Sequence, residues 1–112
     1  MKKLIWLDDC RDPNQNDWLV FSPIGRNCKV VWLRSLMEFT NYIDYFGLPD
    51  AISFDHDLDE FGTGYDAAKW LVDYCIDNEC ELPIFACHSA NPTGKENILR
   101  LLTNCLNTFG KV

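Results

Sequence analysis

The chain has 112 residues, 47% hydrophobic and 24% charged, a size and balance that can bury one core without disulfide or metal staples and that exclude a disordered segment. A formal net charge of −7 excludes an electrostatic grip on long nucleic acid, which needs Lys and Arg in number, yet leaves room for a small anion or an RNA end held by a cation and a few donors focused in a cleft. No apolar run approaches the roughly 20 residues that span a bilayer, and Met1-Lys2-Lys3-Leu4 leads straight into a strand rather than a signal peptide, so the expectation is a single cytoplasmic domain over residues 1–112 with no membrane partner.

Lys3 to Leu7 is a short apolar run of the kind found in a strand covered on both faces, and it ends at Asp8-Asp9. The stretch from Cys10 to Asp17 is rich in turn formers, and Pro13 disfavours helix at Asp12. Trp18-Leu19-Val20-Phe21 is expected to be a brief extended piece before Pro23 and Gly25. Cys28 to Leu33, dense in β-branched and aromatic residues, is the second strand. Ser35 and Glu38 then form a capping box, Leu36, Phe39, Ile43 and Phe46 recur at helical spacing, and Gly47 is the stop.

Ala51 to Phe54 is the third strand and delivers Asp55-His56-Asp57. The loop from Leu58 to Gly62 carries Asp59 and Glu60. Thr63 caps a second helix with Asp66 three residues on, Ala68, Leu71, Val72 and Cys75 form its buried stripe, and it ends near Asn78. Ile84 to Cys87 is the fourth strand and delivers His88-Ser89. Asn91-Pro92-Thr93-Gly94-Lys95-Glu96 repeats the start signal with Thr93 as the cap, and the last helix buries Ile98, Leu101, Leu102, Cys105 and Phe109 before Gly110. None of the six cysteines forms a Cys-x-x-Cys pair, and most fall at positions that read as buried, so free thiols in a reducing cytosol are expected.

Strands alternating with helices imply an α/β fold with a parallel sheet and right-handed crossovers, and ligands bind such sheets at the carboxyl edge. Every acidic or His-bearing motif lies at that edge. In a flavodoxin-like strand order 2-1-3-4, Asp8 and Asp9 meet Asp55 and Asp57, and hard oxygen donors in this number suit Mg²⁺ or Mn²⁺. Without a cation such crowded carboxylates repel. His56 and His88 are the only two histidines, and an imidazole suits acid or base work near neutral pH. Thr63-Gly64 and Thr93-Gly94 open helices whose free amides and dipole favour an anion. With Arg11, Asn91 and Lys95 they make a candidate phosphate pocket.

Asp8-Asp9, Asp55 and Ser89-Ala90 resemble the acidic pair, the phosphoacceptor and the Ser-Ala switch of two-component receiver domains. The sequence departs from receivers in three ways: a Pro-containing loop replaces the first helix, no fifth strand with a late Lys follows, and histidines stand at positions 56 and 88. Leu7-Asp8-Asp9-Cys10-Arg11-Asp12-Pro13, Ser53-Phe54-Asp55-His56-Asp57-Leu58, Thr63-Gly64-Tyr65-Asp66 and the run from His88 to Asn97 resemble the cyclic-phosphate processing receiver-like family over nearly the whole chain. That resemblance implies a three-layer receiver-like fold and a phosphoesterase that opens a cyclic phosphate on a nucleotide, an RNA end or an ADP-ribose derivative. In that scheme Asp8, Asp9 and Asp55 hold a divalent cation and His56 and His88 move protons. Asp57 orients a histidine or adds a ligand, and Arg11, Ser89, Asn91, Lys95 and the Thr63-Gly64 and Thr93-Gly94 amides bind phosphate. The alternatives are a signalling domain phosphorylated on Asp55 and a non-catalytic nucleotide- or phosphate-binding module.

Overall fold

The computed structural model describes residues 1–15, 18–58 and 62–109. The expected loop acids Asp59 and Glu60, the side chain of Phe109 and the closing Gly110 lie outside the described residues. Four strands, β1 (Lys2–Leu7), β2 (Cys28–Leu33), β3 (Ala51–Phe54) and β4 (Ile84–Cys87), form one parallel sheet in the order β2-β1-β3-β4. Three α-helices, α1 (Leu36–Phe46), α2 (Gly64–Asp77) and α3 (Pro92–Phe109), connect or follow them. Among the described residues no helix is long and apolar enough to cross a membrane, and all six cysteines are free.

Side chains alternate across a strand, so each strand contributes to two faces. Ile5, Leu7, Leu33, Ile52, Phe54 and Cys87 share one buried cluster with Phe39 and Ile43 of α1, Ala68 and Leu71 of α2, and Ile98 and Leu102 of α3. All three α-helices therefore cover the same face. Leu4, Trp6, Ala51 and Ser53 project to the other face and are also buried. The third layer there comes from the segment after β1: Phe21 lies 6.2 Å from the Trp6 ring, and Trp6 Nε1 donates to the Arg11 carbonyl at 3.0 Å.

Two expected elements differ. Trp18–Phe21 is a 3-10 helix rather than an extended piece; it lies outside the sheet and so has no ladder partner to hold it extended. The cap of α3 is Asn91, not Thr93: Asn91 Oδ1 accepts from the Gly94 amide at 3.0 Å, and its carbonyl accepts from Lys95. Pro92 thus occupies the first helical position, where a missing N–H costs nothing and φ is already suited to helix. Phe46, expected on the apolar face of α1, is exposed, with the Lys3 ammonium 5.6 Å from its ring.

The other caps follow from local chemistry. Ser35 Oγ accepts from the Glu38 amide. The Glu38 carboxylate accepts from Arg34 rather than from Ser35, one residue short of a full box. Thr63 and Asp66 make the reciprocal capping box at α2. Gly47 ends α1 at φ 86°, a conformation a side chain would strain.

Candidate functional site

Register builds the site. Leu7 pairs with Phe54, and Phe54 with Cys87, so the next residues, Asp8, Asp55 and His88, stand side by side at the carboxyl edge of three adjacent strands. The ladder continues one step past the strands, with the Asp55 amide bonded to the Leu7 carbonyl and the His88 amide to the Phe54 carbonyl, each at 2.9 Å.

Asp8 is fully buried and fully bonded. Its Oδ1 accepts from the amides of Cys10 at 3.0 Å and Arg11 at 2.9 Å. Its Oδ2 lies 3.0 Å from His88 Nε2, and His88 Nδ1 lies 2.8 Å from Ser53 Oγ. The imidazole stacks on Trp6 with ring centres 3.7 Å apart, and its side chain is 1% exposed. Burial pushes the Asp8 carboxyl up, but the hydrogen bonds from His88, Arg11 and Cys10 outweigh it and hold the group below the usual carboxylate range. Both ring nitrogens of His88 are thus engaged, Nε2 by Asp8 and Nδ1 by Ser53. His88 is therefore unable to reach a substrate: both nitrogens are used and the ring is enclosed. This corrects the expectation that it exchanges protons with a substrate.

Asp55, also buried, has the opposite electrostatics. Loss of solvent and the neighbouring Asp8 charge raise its pKa, partly offset by His88, a Ser89 hydrogen bond and the Arg11 charge. Two buried carboxylates on neighbouring strands are thus driven in opposite directions, Asp8 toward ionisation and Asp55 away from it. Ligand atoms of Asp8, Asp9 and Cys10 all lie within 4.8 Å of one another. Cys10 enters this group through its sequence neighbours rather than through the sheet. Partial loss of solvent and the charges of Asp8 and Asp9 raise the pKa of its exposed thiol. The loop that carries them is tied down: Trp32 Nε1 donates to the Asp8 carbonyl at 2.8 Å, and the Arg34 guanidinium donates to the Asp9 carbonyl.

On the other side of Asp55 the chain turns outward. His56 Nδ1 lies 2.9 Å from Asp57 Oδ1, and the two side chains are 21% and 66% exposed. The hydrogen bond to His56 lowers the Asp57 pKa. Asn91 Nδ2 approaches the same pair, 3.5 Å from His56 Nδ1 and 3.4 Å from Asp57 Oδ1. Among the described residues His56 Nε2 has no hydrogen-bond partner. Arg11 lies between the two halves, and its charge favours the ionised forms of both Asp55 and Asp57.

The glycines do not serve as expected. A Cβ on Gly64 would fall 1.7 Å from the Asp55 carbonyl oxygen, and one on Gly94 would fall 2.3 Å from His56 Cγ. Their missing side chains admit protein atoms, not phosphate. Three of the four amides are engaged too: Thr63 donates to Asp66, Gly64 to the His56 carbonyl and Gly94 to Asn91. Thr93 and Lys95 are exposed on the first turn of α3. The sequence reading overlooked Ser53, Trp6 and Trp32. For Ser53 a signal existed, since a hydroxyl in an otherwise apolar buried strand must have a partner.

A parallel sheet in this order, with two carboxylates at the ends of neighbouring strands, defines a receiver-like domain. The chain belongs to the cyclic-phosphate processing receiver domain family, whose model matches residues 3–104. Among solved structures it is similar to the phosphorylated cyanobacterial phytochrome response regulator RcpA, with a TM-score of 0.59 at 21% identity over 89% of this chain and 74% of that one. It is also similar to a fusion protein carrying part of the yeast Spc42 trimeric coiled coil, with a TM-score of 0.59 at 17% identity over 98% and 75% of the two chains. At these identities the likeness is one of fold. No match is found among curated protein sequences.

Proposed function

We propose that the protein is a metal-assisted phosphoesterase that opens a cyclic phosphate on a small phosphorylated substrate, a nucleotide, an RNA end or an ADP-ribose derivative. The observation that carries this reading is the His56–Asp57 pair at 2.9 Å, solvent-accessible and one residue from the buried Asp55. Asp57 accepts from Nδ1–H and so leaves the Nε2 lone pair free to take a proton from water as its oxygen attacks phosphorus. The P–O bond to the ribose oxygen breaks, and that oxygen takes a proton from solvent. Asp8, Asp9 and Asp55 would hold Mg²⁺ or Mn²⁺, which supplies charge to the phosphoryl oxygens. Arg11 and Ser89 would bind the phosphate. His88 acts through Asp8, holding its carboxylate in place.

The test is turnover of 2′,3′-cyclic nucleotides and cyclic-phosphate RNA ends with Mg²⁺ or Mn²⁺. His56→Ala should lower kcat by about 10²–10⁴, the usual contribution of a positioned general base. Absence of turnover on every cyclic phosphate, or full activity in His56→Ala, overturns the proposal.

A second reading, phosphorylation of Asp55 in a signalling domain, is favoured by its position at the end of β3 next to Asp8 at the end of β1. Acetyl phosphate with Mg²⁺ would then leave one phosphoryl group on the intact protein, lost in Asp55→Asn. Tight retention of a cyclic nucleotide with no product would indicate a binding module instead.

A further inference from the structure

Two helix starts grip the turn that carries His56. Gly64, the first residue of α2, donates to the His56 carbonyl at 2.8 Å and sits against the Asp55 carbonyl. On the other side the imidazole rests on the first turn of α3. A Cβ at position 94 would lie 2.3 Å from His56 Cγ, 2.6 Å from Cδ2 and 2.7 Å from Cβ. These are the atoms nearest the His56 backbone, which Gly64 holds, so the ring has no slack with which to yield.

The backbone gives no reason for glycine here. Among the described glycines only Gly25 and Gly47 have positive φ, and Gly94 lies within α3, where alanine is the more stabilising residue by propensity. The space is what is needed. Asn91 joins the parts: its Oδ1 caps the Gly94 amide, while its Nδ2 approaches both His56 Nδ1 and Asp57 Oδ1.

We propose that Gly94 is a positioning residue: the empty side-chain space at the start of α3 is the seat of the His56 imidazole, and it fixes where Nε2 points. A methyl group there forces the turn that carries His56 and the first turn of α3 apart, which breaks the Nδ1–Asp57 contact and re-aims Nε2. The role in turnover rests on the proton-transfer reading of His56, whereas the seat itself is testable without it.

The experiment is a double-mutant cycle with full-length protein. Gly94→Ala should lower Tm in the wild-type background, where the methyl meets the ring. In the His56→Gly background, which also removes the Cβ 2.7 Å away, it should raise Tm, because the helix preference then decides. The His56 ring nitrogen shifts, read by long-range ¹H–¹⁵N correlation, should move in Gly94→Ala while those of His88 stay in place. With 2′,3′-cyclic nucleotide, Gly94→Ala should lower kcat at least tenfold with KM within twofold.

A Tm change of the same sign in both backgrounds, or unmoved His56 signals, overturns the seat. Reversed signs with unchanged kcat overturn its role in turnover. If the wild type turns over no cyclic phosphate, the catalytic reading fails, and the cycle and the ring shifts still decide whether Gly94 positions His56.

Discussion

The two histidines stand at the ends of adjacent strands and have opposite surroundings. His88 is enclosed between Trp6, Ser53 and Asp8, with a partner on each nitrogen. His56 is partly exposed, bonded on one nitrogen to a solvent-facing carboxylate. The polar atoms around His88 spend their hydrogen-bonding capacity on one another, which makes a rigid support for Asp8. Those around His56 leave Nε2 without a partner among the described residues. Distance to the sheet edge does not separate the two residues; the number of partners does.

Substitutions should separate them along different axes. The largest effect is on turnover, where His56→Ala removes about 3–5 kcal/mol of transition-state stabilisation, the equivalent of 10²–10⁴ in rate, with little change in Tm. His88→Ala should do the reverse: leaving Asp8 Oδ2 and the Ser53 hydroxyl unpaired beside a cavity costs on the order of 3 kcal/mol of folding stability. Equal loss of Tm in both variants by thermal unfolding would erase the distinction. Ser53→Ala, which leaves only His88 Nδ1 without a partner, should cost about 1–2 kcal/mol, measurable as a lower urea midpoint at unchanged slope.

The smallest effect is on acid unfolding. Asp8 ionises more readily folded than unfolded, so its stabilisation is present above the ordinary carboxylate range and is lost as pH falls through the lowered folded value. His88→Gln weakens what holds that carboxyl low, so the acid midpoint should move to higher pH. Asp55 has the opposite sign. Its raised folded value means that stability is lost as pH rises from the unfolded value to the folded one. A divalent cation at this edge should reverse that loss, and Mg²⁺ should therefore raise Tm at neutral pH in the wild type and not in Asp55→Asn.

Much of this architecture was legible locally. β2, β3 and β4 lie where apolar and β-branched runs predict them; β3, in the middle of the sheet, is buried along its length. The caps at Ser35 and Thr63 are also local, each partner lying three residues away. The parallel sheet followed from alternation, and the order 2-1-3-4, taken from the likeness to flavodoxin-like sheets, is the one observed. Local rules failed at α3, where Asn91 and Thr93 are both competent caps and Pro92 decided between them.

The sequence by itself determined the four strands, the helices between them and the presence of two carboxylates and two histidines at one sheet edge, since all of these follow from neighbours in the chain. Only the tertiary structure decided what each group does there. Asp8 meets His88 across 80 residues, and Ser53 meets it across 35. Whether an imidazole is a support or a base depends on how many of its nitrogens such distant partners occupy. Gly94 likewise reads as a phosphate contact in the chain and becomes the seat of His56 once α3 is folded against the sheet, because an empty side-chain space acquires a meaning only from what fills it.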